Sequence, residues 1–319
     1  MSLNELALNW AATVRGPVVV TGSAGYLGRN LVQTLAQAGI DVVGVQRKAE
    51  KNSGFSVVER DLFDQGALDS LLTDDTTIFH LASTSSVARS VVNPRGDIRD
   101  SLQVTFEVIE SARRFGSRLI YVSSICVADP NSPLPHSEGV KFSPRSPYGA
   151  CKAASEILVS TYFHCYGLRA SIARLSTVYG PGLRRFAVYD FYRKLRSNSR
   201  RLDILGDGTQ MRDYIYLDDA LAGLLLIASR GESGETYNLG SGVTVTSREL
   251  ARAVAEAMEI GPPEIVASGE NFPGDIPRWA MDISKIRHLG FEPRVDLATG
   301  LTMVVKSHHR DEAIVLARI

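Results

Sequence analysis

The segment Thr21-Gly22-Ser23-Ala24-Gly25-Tyr26-Leu27-Gly28 constrains this chain more than any other. It follows the β-branched run Val18-Val19-Val20, which suits a buried strand. It opens a stretch with Leu27, Leu31 and Leu35 at steps of four, which suits a helix stopped by Gly39. In such a strand–turn–helix the three glycines have separate tasks. The first permits the tight turn, the second lets backbone approach a pyrophosphate, and the third lets helix and strand pack closely. The free amides and partial positive charge of the helix N-terminus then face the phosphates. A glycine pattern alone is weak. Its place between strand and helix makes dinucleotide binding the expected role, ahead of a ligand-free loop.

Beyond the turn, Val42–Val45, Phe55–Val58, Thr77–Leu81, Leu119–Ser123 and Ser171–Leu175 read as further strands. Helical stretches separate several of them, including Leu102–Phe115 and a long one over about 146–166. Residues 1–15, with Leu3, Leu6, Ala7 and Trp10 at helical spacing, are expected to cover part of the core. This alternation predicts an α/β chain with a Rossmann-type doubly wound parallel sheet. After Tyr179 the texture changes, with turn signals at 180–182, 206–208, 240–242, 261–263 and 273–274. A length of 319 residues fits about two domains. The expected division gives an NAD(P)-binding domain over 1–178 and about 213–240. A smaller C-terminal α/β substrate-binding domain takes about 179–212 and 241–319.

Charge and composition narrow the setting. Thirty-five basic residues balance 35 acidic ones, which argues against nucleic acid or an acidic membrane surface as partner. The most apolar stretch, around 220–228, is far shorter than the ~20 residues of a membrane span. The N-terminus shows no secretory pattern. Cys126, Cys151 and Cys165 form no C-x-x-C pair and cannot all pair within one chain, which favours a reducing, cytoplasmic setting.

The second strand ends Val45-Gln46-Arg47-Lys48. NAD sites often carry an acidic residue there for the ribose hydroxyls; two cations instead suit a 2′-phosphate. The cofactor is therefore NAD or NADP, with Arg47 and Lys48 tilting toward NADP unless Arg47 only stacks or faces water. Tyr148 and Lys152 stand four residues apart at the start of a helix and share a face. A nearby ammonium favours a phenolate, so Tyr148 is expected to exchange protons closer to neutrality. Ser124 follows a strand at the carboxyl edge, where ligands bind in open parallel sheets.

With these residues in place, the chain resembles the extended short-chain dehydrogenase/reductases, in their NAD(P)-dependent nucleotide-sugar epimerase/dehydratase branch, and is UDP-glucose 4-epimerase-like. The resemblance runs from about Pro17 to Leu301. Besides the glycine turn it rests on Asp61-Leu62, His80-Leu81-Ala82, Tyr121-Val122-Ser123-Ser124 and Ser146-Pro147-Tyr148-Gly149 with Lys152. It continues through Val178–Gly182, Gly206–Asp219 and Tyr237–Gly242. It implies Tyr148 as acid/base, Lys152 on the nicotinamide ribose, lowering the tyrosine pKa, and Ser124 on the reacting hydroxyl or carbonyl. For the cofactor it implies Gly22, Ala24, Gly25, Tyr26, Leu27, Gly28, Arg47, Lys48, Asp61 (toward the adenine), Leu62, Leu81, Ala82, Ser83, Tyr148 and Lys152. For the substrate it implies Ser86, Ser124, Thr177, Arg212 and Arg278, the two arginines on a diphosphate, where a planar fork pairs two oxygens. Surface ion pairs, with Asp213 or Asp275 for instance, are the plain alternative for both arginines. No metal is implied.

Departures from the family pattern narrow the reaction. Sugar 4,6-dehydratases of the branch carry acidic residues just after the strand-end Ser/Thr; here Ile125 and Cys126 follow Ser124, and neither is a general acid for losing water. Two reactions remain: inversion of carbon 4 of a nucleoside-diphosphate hexose through a transient keto sugar, and NADPH-dependent reduction of a 4-keto sugar. The first is preferred. A redox-inert NADP-binding regulator is a weaker alternative, because it has no need of Ser124, Tyr148 and Lys152 together. An aldehyde or aryl-ketone reductase has no need of Arg212 and Arg278. Thr177 and Ser101 stand where the family often has Asn. The arginine-rich stretch over 184–201 is expected to be mostly a solvated helix face, with a possible share in attracting a diphosphate or a sugar carboxylate. Family resemblance further implies a homodimer through the helices near 102–115 and 146–166.

Overall fold

The computed structural model describes residues 3–48 and 54–316, with side chains over 7–48 and 54–310; the Leu3 and Leu6 side chains of the expected lead-in helix lie outside these. Strands β1 (Val18–Thr21), β2 (Val42–Gln46), β3 (Val57–Glu59), β4 (Thr77–His80), β5 (Arg118–Ser124) and β6 (Ala170–Leu175) follow one another with helices between. Later come β7 (Thr177–Tyr179), β8 (Arg201–Ile204), β9 (Met211–Tyr216), β10 (Thr236–Leu239), β11 (Thr244–Thr246) and β12 (Glu264–Ala267). The helices are α1 (Leu3–Ala11), α2 (Tyr26–Gln37), α3 (Val87–Val92), α4 (Pro94–Asp97), α5 (Val104–Phe115) and α6 (Pro147–Tyr166). They continue with α7 (Phe186–Ser197), α8 (Leu217–Arg230), α9 (Ser247–Ala257), α10 (Ser284–His288) and α11 (Leu297–Leu316).

Seven strands form one parallel sheet in the order β10-β6-β5-β4-β1-β2-β3. The alternation of side chains along each strand builds a core on both faces. Val18, Val20, Phe79, Ile120 and Val122 point to the face covered by α1, α2 and α8. Val19, Ile78, Leu119 and Tyr121 point to the face covered by α5 and α6. This is the Rossmann-like α/β fold that the alternation predicted. The strand order reverses between β1 and β4, which opens a crevice beyond their carboxyl ends. No helix among the described residues is long and apolar enough to cross a membrane.

A second core gathers α7, β8, α9 and α11 around Tyr179, Tyr192, Tyr214 and Tyr216. It includes a three-stranded sheet in the order β11-β9-β7 and the parallel pair β8–β12. The chain crosses between the cores several times, and buried carboxylates hold the crossings. Asp213 accepts from the amides of Ser241 and Gly242, each at 2.8 Å, and Asp219 accepts from those of Arg294 and Val295. Helix α8 and strand β10 return to the large sheet, whereas β9 belongs to the small one, so the expected division at about 213 falls inside β9.

Two expectations shift. Strand β3 begins at Val57, not Phe55. Helical winding begins well before Leu102, because Asn93 caps a turn with Pro94 at its first position, and a π-helical stretch, Ile98–Gln103, then runs into α5.

Helix α6 is held to the sheet by a buried ion pair. Glu156 and Arg174, 3% and 1% exposed, meet through two hydrogen bonds of 2.6 and 3.1 Å, and Ser123 adds a third group to the carboxylate. Removing one partner strands the other charge without water. Glu156→Ala should therefore lower the unfolding free energy by about 3–5 kcal/mol in urea titrations. The paired change Glu156→Met with Arg174→Met should recover much of that loss. A single-variant loss as small as that of the exposed Arg201–Asp203 pair would show that the contact does not hold α6 in place.

Candidate active site

A cleft of about 1220 Å³ lies along the carboxyl edge of the large sheet and continues against the second core. It exceeds an ordinary small-molecule pocket of roughly 300–1,000 Å³, so it has room for a dinucleotide and a second ligand together. Its floor is the glycine turn. Gly22 has φ +71°, and a Cβ there would stand 2.7 Å from the Ala82 amide nitrogen; a Cβ on Gly28 would stand 2.4 Å from the Gly22 carbonyl oxygen. Only glycine lets α2 come this close to the ends of β1 and β4. Helix α2 starts on Gly25, which has no side chain to cap it, so its first-turn amides are left for an anion. These features fit a dinucleotide pyrophosphate.

The expected cofactor residues Gly22, Ala24, Gly25, Tyr26, Leu27, Gly28, Arg47, Lys48, Asp61, Leu62, Leu81, Ala82 and Ser83 all line this cleft. Between β1 and α5, His80 bridges Thr21 at 2.7 Å and Thr105 at 3.0 Å. Burial pushes its pKa down to about 3, so the ring is neutral and acts as a strut. The tip of β2 differs from its sequence reading. Asp100, on the π-helical stretch, reaches Arg47 at 3.4 Å and Arg99 at 2.9 Å and also lines the cleft. A carboxylate therefore stands at this end after all, supplied by a distant segment.

Ser124, Tyr148 and Lys152 converge on the same cleft. Ser146 caps α6 through the Gly149 amide, and Pro147 occupies the first turn, which fixes where Tyr148 leaves the helix. Tyr148 shares the cleft wall with Ser124, the last residue of β5, whose hydroxyl accepts from the Cys126 amide at 3.3 Å. One turn on, Lys152 is 4% exposed; its Nζ donates to the Val122 carbonyl at 2.7 Å and lies 4.9 Å from the Tyr121 ring centre. Burial lowers the Lys152 pKa to about 8, against upward pulls from Glu156, Asp97 and Cys151.

One electrostatic expectation is corrected. Burial and the Cys126 thiol push the Tyr148 pKa above its ordinary value; the Ser124 hydrogen bond and the Arg185 guanidinium oppose this, and Lys152 is not among its main influences. The lysine charge is directed into the Val122 carbonyl and the Tyr121 ring, not toward the phenol. In the protein by itself Tyr148 is therefore a protonated acid.

The substrate expectations divide. Ser86, Thr177 and Arg212 line the cleft. Ser86 also caps α3 through the Arg89 amide. Arg212 is pinned: it bonds Asp275 at 2.6 Å and the Pro277 carbonyl at 3.0 Å, and its Cζ lies 4.0 Å from the Trp279 ring centre. Arg278 is not brought to the cleft. It is exposed and absent from the lining, and its backbone bridges to Met211.

Several cleft residues escaped the sequence reading. Asp275 and Trp279 form one wall with Arg212, and Arg185 extends another near Tyr148. Outside the lining, Asp97 is 1% exposed; Thr84, which lines the cleft, donates to its Oδ1, while Oδ2 has no partner among the described residues. Ser101 supports the same loop, accepting from the Thr84 amide at 3.1 Å. In the arginine-rich stretch, Arg193, Lys194 and Arg201 pair with nearby carboxylates on the surface, as a solvated face does. Among the described residues no group of His, Cys, Asp and Glu could hold a metal ion.

Comparison with known proteins accords with this geometry. Residues 18–240 match the model of the NAD dependent epimerase/dehydratase family. A UDP-glucose 4-epimerase of Mycolicibacterium smegmatis is 32% identical, covering 90% of this chain and 97% of that one. A dTDP-glucose 4,6-dehydratase of Actinoplanes is 29% identical, covering 90% and 96%. MoeE5, solved with NAD and either UDP-glucose or UDP-glucuronic acid, superimposes with a TM-score of 0.84 at 30% identity, covering 93% of this chain and 100% of that one.

The buried lysine yields a stability test. Because its folded pKa of about 8 lies below the ordinary 10.5, the unfolded chain keeps a proton that the folded chain has released between those values. This group's contribution to stability therefore rises with pH across that window and is flat below it. Lys152→Met removes the titration. Denaturation midpoints of wild type should gain on those of Lys152→Met as pH rises from 8 to 10.5. A gap that does not change with pH would mean that the ammonium is not desolvated.

Proposed function

The chain belongs to the NAD-dependent epimerase/dehydratase family, and on that premise we propose that it is a nucleotide-sugar 4-epimerase. The observation that carries the proposal is the convergence of Tyr148, Ser124 and buried Lys152 on one cleft, with no carboxylate at positions 125 and 126. Ile125 and Cys126 sit in a buried 3-10 turn, and burial raises the Cys126 thiol pKa. Neither can protonate a leaving hydroxyl, so the dehydratase chemistry of the Actinoplanes relative lacks its acid.

The nicotinamide supplies reversible acceptance of hydride from a sugar carbon. The remaining work falls to protein groups. Ser124 holds the sugar hydroxyl by a hydrogen bond. As a phenolate, a form that the positive charge of a bound oxidised nicotinamide would favour over the protonated phenol of the protein by itself, Tyr148 takes up that hydroxyl's proton as the C–H bond is oxidised and gives it back on reduction. Lys152, fixed by Val122, holds the ribose side of the cofactor. Thr177 and Ser86 contact the sugar, and Arg212 pairs with the diphosphate. No atom is gained or lost, so substrate and product have equal mass. The second core serves as the sugar-nucleotide half of the cleft.

The cofactor we propose is NAD. Asp100 at the β2 tip suits ribose hydroxyls and repels a 2′-phosphate, offsetting the pull of Arg47 and Lys48. Those two cations are the one observation favouring the second reading, an NADPH-dependent 4-keto-sugar reductase. The three free cysteines suit a cytoplasmic setting. Exposed Phe106 on α5 and Ile157 on α6 suit a homodimer built through these helices.

Incubation with UDP- and dTDP-hexoses tests the reaction. Isomers of unchanged mass, without solvent deuterium at carbon 4 and without net cofactor consumption, are expected; stoichiometric NADH or NADPH oxidation would establish the reductase instead. Tyr148→Phe should lower turnover by about 10²–10⁴-fold with cofactor affinity retained. Near-wild-type turnover would remove Tyr148 from the mechanism. For the cofactor, Asp100→Asn should raise affinity for NADP relative to NAD, and Arg47→Ala should do the reverse. Titration by tryptophan fluorescence reads both, and equal changes for the two cofactors would refute the assignment of the β2 tip.

A further inference from the structure

The two cores meet across the cleft at one short segment, residues 181–185. It joins β7, whose Thr177 and Val178 line the cleft, to α7, which lines it with Ala187 and Lys194. Leu183 and Arg185 line the cleft themselves. Both ends of the segment are bonded to the dinucleotide half. The Tyr26 hydroxyl donates to the Pro181 carbonyl at 3.0 Å, and the Arg185 guanidinium donates to the Ser85 hydroxyl at 2.9 Å. Ser85 stands outside the glycine turn and anchors the far end, whereas Tyr26 belongs to the turn. The Tyr26 contact is closely built. A Cβ on Gly180 would stand 2.6 Å from the Tyr26 hydroxyl oxygen and 2.9 Å from the Leu217 Cβ, so only glycine admits the phenol there. Burial raises the Tyr26 pKa, with Tyr216 and Asp218 adding to it, so the hydroxyl stays a donor. The backbone of the segment depends on such support: Gly182 takes φ +78°, and Phe186 just beyond it takes φ +68°, which a bulky L-residue keeps only where its surroundings hold it.

Tyr26 is also the first residue of α2, one position after the uncapped Gly25. The amides of that first turn are the ones a pyrophosphate takes. Phosphate oxygens there fix the backbone from which the phenol projects. The phenol in turn fixes Pro181, whose ring already limits its own φ. Part of the entropic cost of ordering residues 181–185 is then met when the turn is filled. A second ligand that touches Thr177 or Leu183 finds its wall in place and binds more tightly, and by linkage it tightens the first ligand by the same factor.

We propose that Tyr26 is a positioning residue that carries occupancy of the dinucleotide turn to residues 181–185, so that a bound cofactor sets the sugar-nucleotide wall of the cleft. This rests on the epimerase reading for the second ligand and adds the order in which the site is assembled. UDP-glucose is titrated by calorimetry into nucleotide-free and NAD-saturated protein, as wild type and as Tyr26→Phe. NAD should tighten UDP-glucose binding to wild type by about 5–150-fold. Tyr26→Phe should cut that factor by about 2–10-fold, the scale of one neutral hydrogen bond. A weaker grip on either ligand alone cancels from the factor, so a merely local change of shape leaves it unaltered. A factor near one in wild type, or the same factor in both proteins, overturns the proposal. Backbone amide exchange gives a second readout. NAD alone should slow exchange at residues 182–186 of wild type and do so much less in Tyr26→Phe; equal slowing in both overturns the proposal. Should UDP-glucose bind neither protein, the sugar-nucleotide reading fails, while the exchange rates still decide whether Tyr26 connects the turn to the segment.

Discussion

One stripe of helix α6 sets the site. Tyr148, Lys152 and Glu156 recur at steps of four and so face the sheet together. Each meets β5 or its neighbour: Tyr148 stands with Ser124 at the cleft, Lys152 bonds the Val122 carbonyl, and Glu156 bonds Ser123 and Arg174. The deepest of the three contacts is an ion pair without water, strong enough in geometry to fix the register of the helix on the strand. The middle contact holds an ammonium that burial would otherwise discharge. The outermost holds the phenol at the cleft. A slip of α6 by one residue would leave a charge buried without its partner, so the structural pair and the chemical pair enforce each other.

The same edge of the sheet receives the glycine turn, and this is why two remote motifs meet. Parallel strands all end on one side, and the reversal of strand order between β1 and β4 leaves that side open. Ser124 at the end of β5 and Gly22 at the end of β1 therefore face one crevice despite a separation of about a hundred residues. The Glu–Arg pair beneath and the neutral His80 strut between β1, β4 and α5 keep these ends in line.

Local patterns revealed the parts whose chemistry is local. The strand–glycine–helix unit, the spacing of Tyr148 and Lys152 and the strand-end Ser124 are each contained in a few residues, and the structure brings them to one cleft. Contacts set by distant segments were hidden. Asp100 answers Arg47 across 53 residues, and its position depends on a π-helical stretch with no sequence signature at that range. Arg212 and Arg278 looked alike as diphosphate ligands. Asp275 and Trp279 hold the first in the cleft wall, while the second is exposed and lies outside the lining. The expected effect of Lys152 on Tyr148 also failed to appear, because shared burial outweighs a charge already committed to a carbonyl. Arg185 lay within a basic run that reads as a solvated face; its difference from Arg193 or Arg201 arises from the turn that precedes α7.

The distribution of carboxylates bears on the proposed inversion of a hydroxyl without its expulsion. Loss of water from a sugar needs an acid or base beside the carbon next to the keto group. Four aspartates line the cleft: Asp61, Asp100, Asp190 and Asp275. Asp61 accepts from the Phe63 amide and Asp100 from Arg47 and Arg99, both near the end of the β2–β3 edge. Asp190 is taken by Arg193 and Lys194, and Asp275 by Arg212. Around Tyr148 the protein instead presents the Cys126 thiol, held neutral by burial, and the Ile125 side chain, 1% exposed. On the proposed mechanism, a keto sugar held there takes back from the phenol the proton it gave. An acidic side chain at position 125 or 126 would bring a second proton carrier to the same carbon skeleton, and the two reactions known among the relatives would then compete on one site.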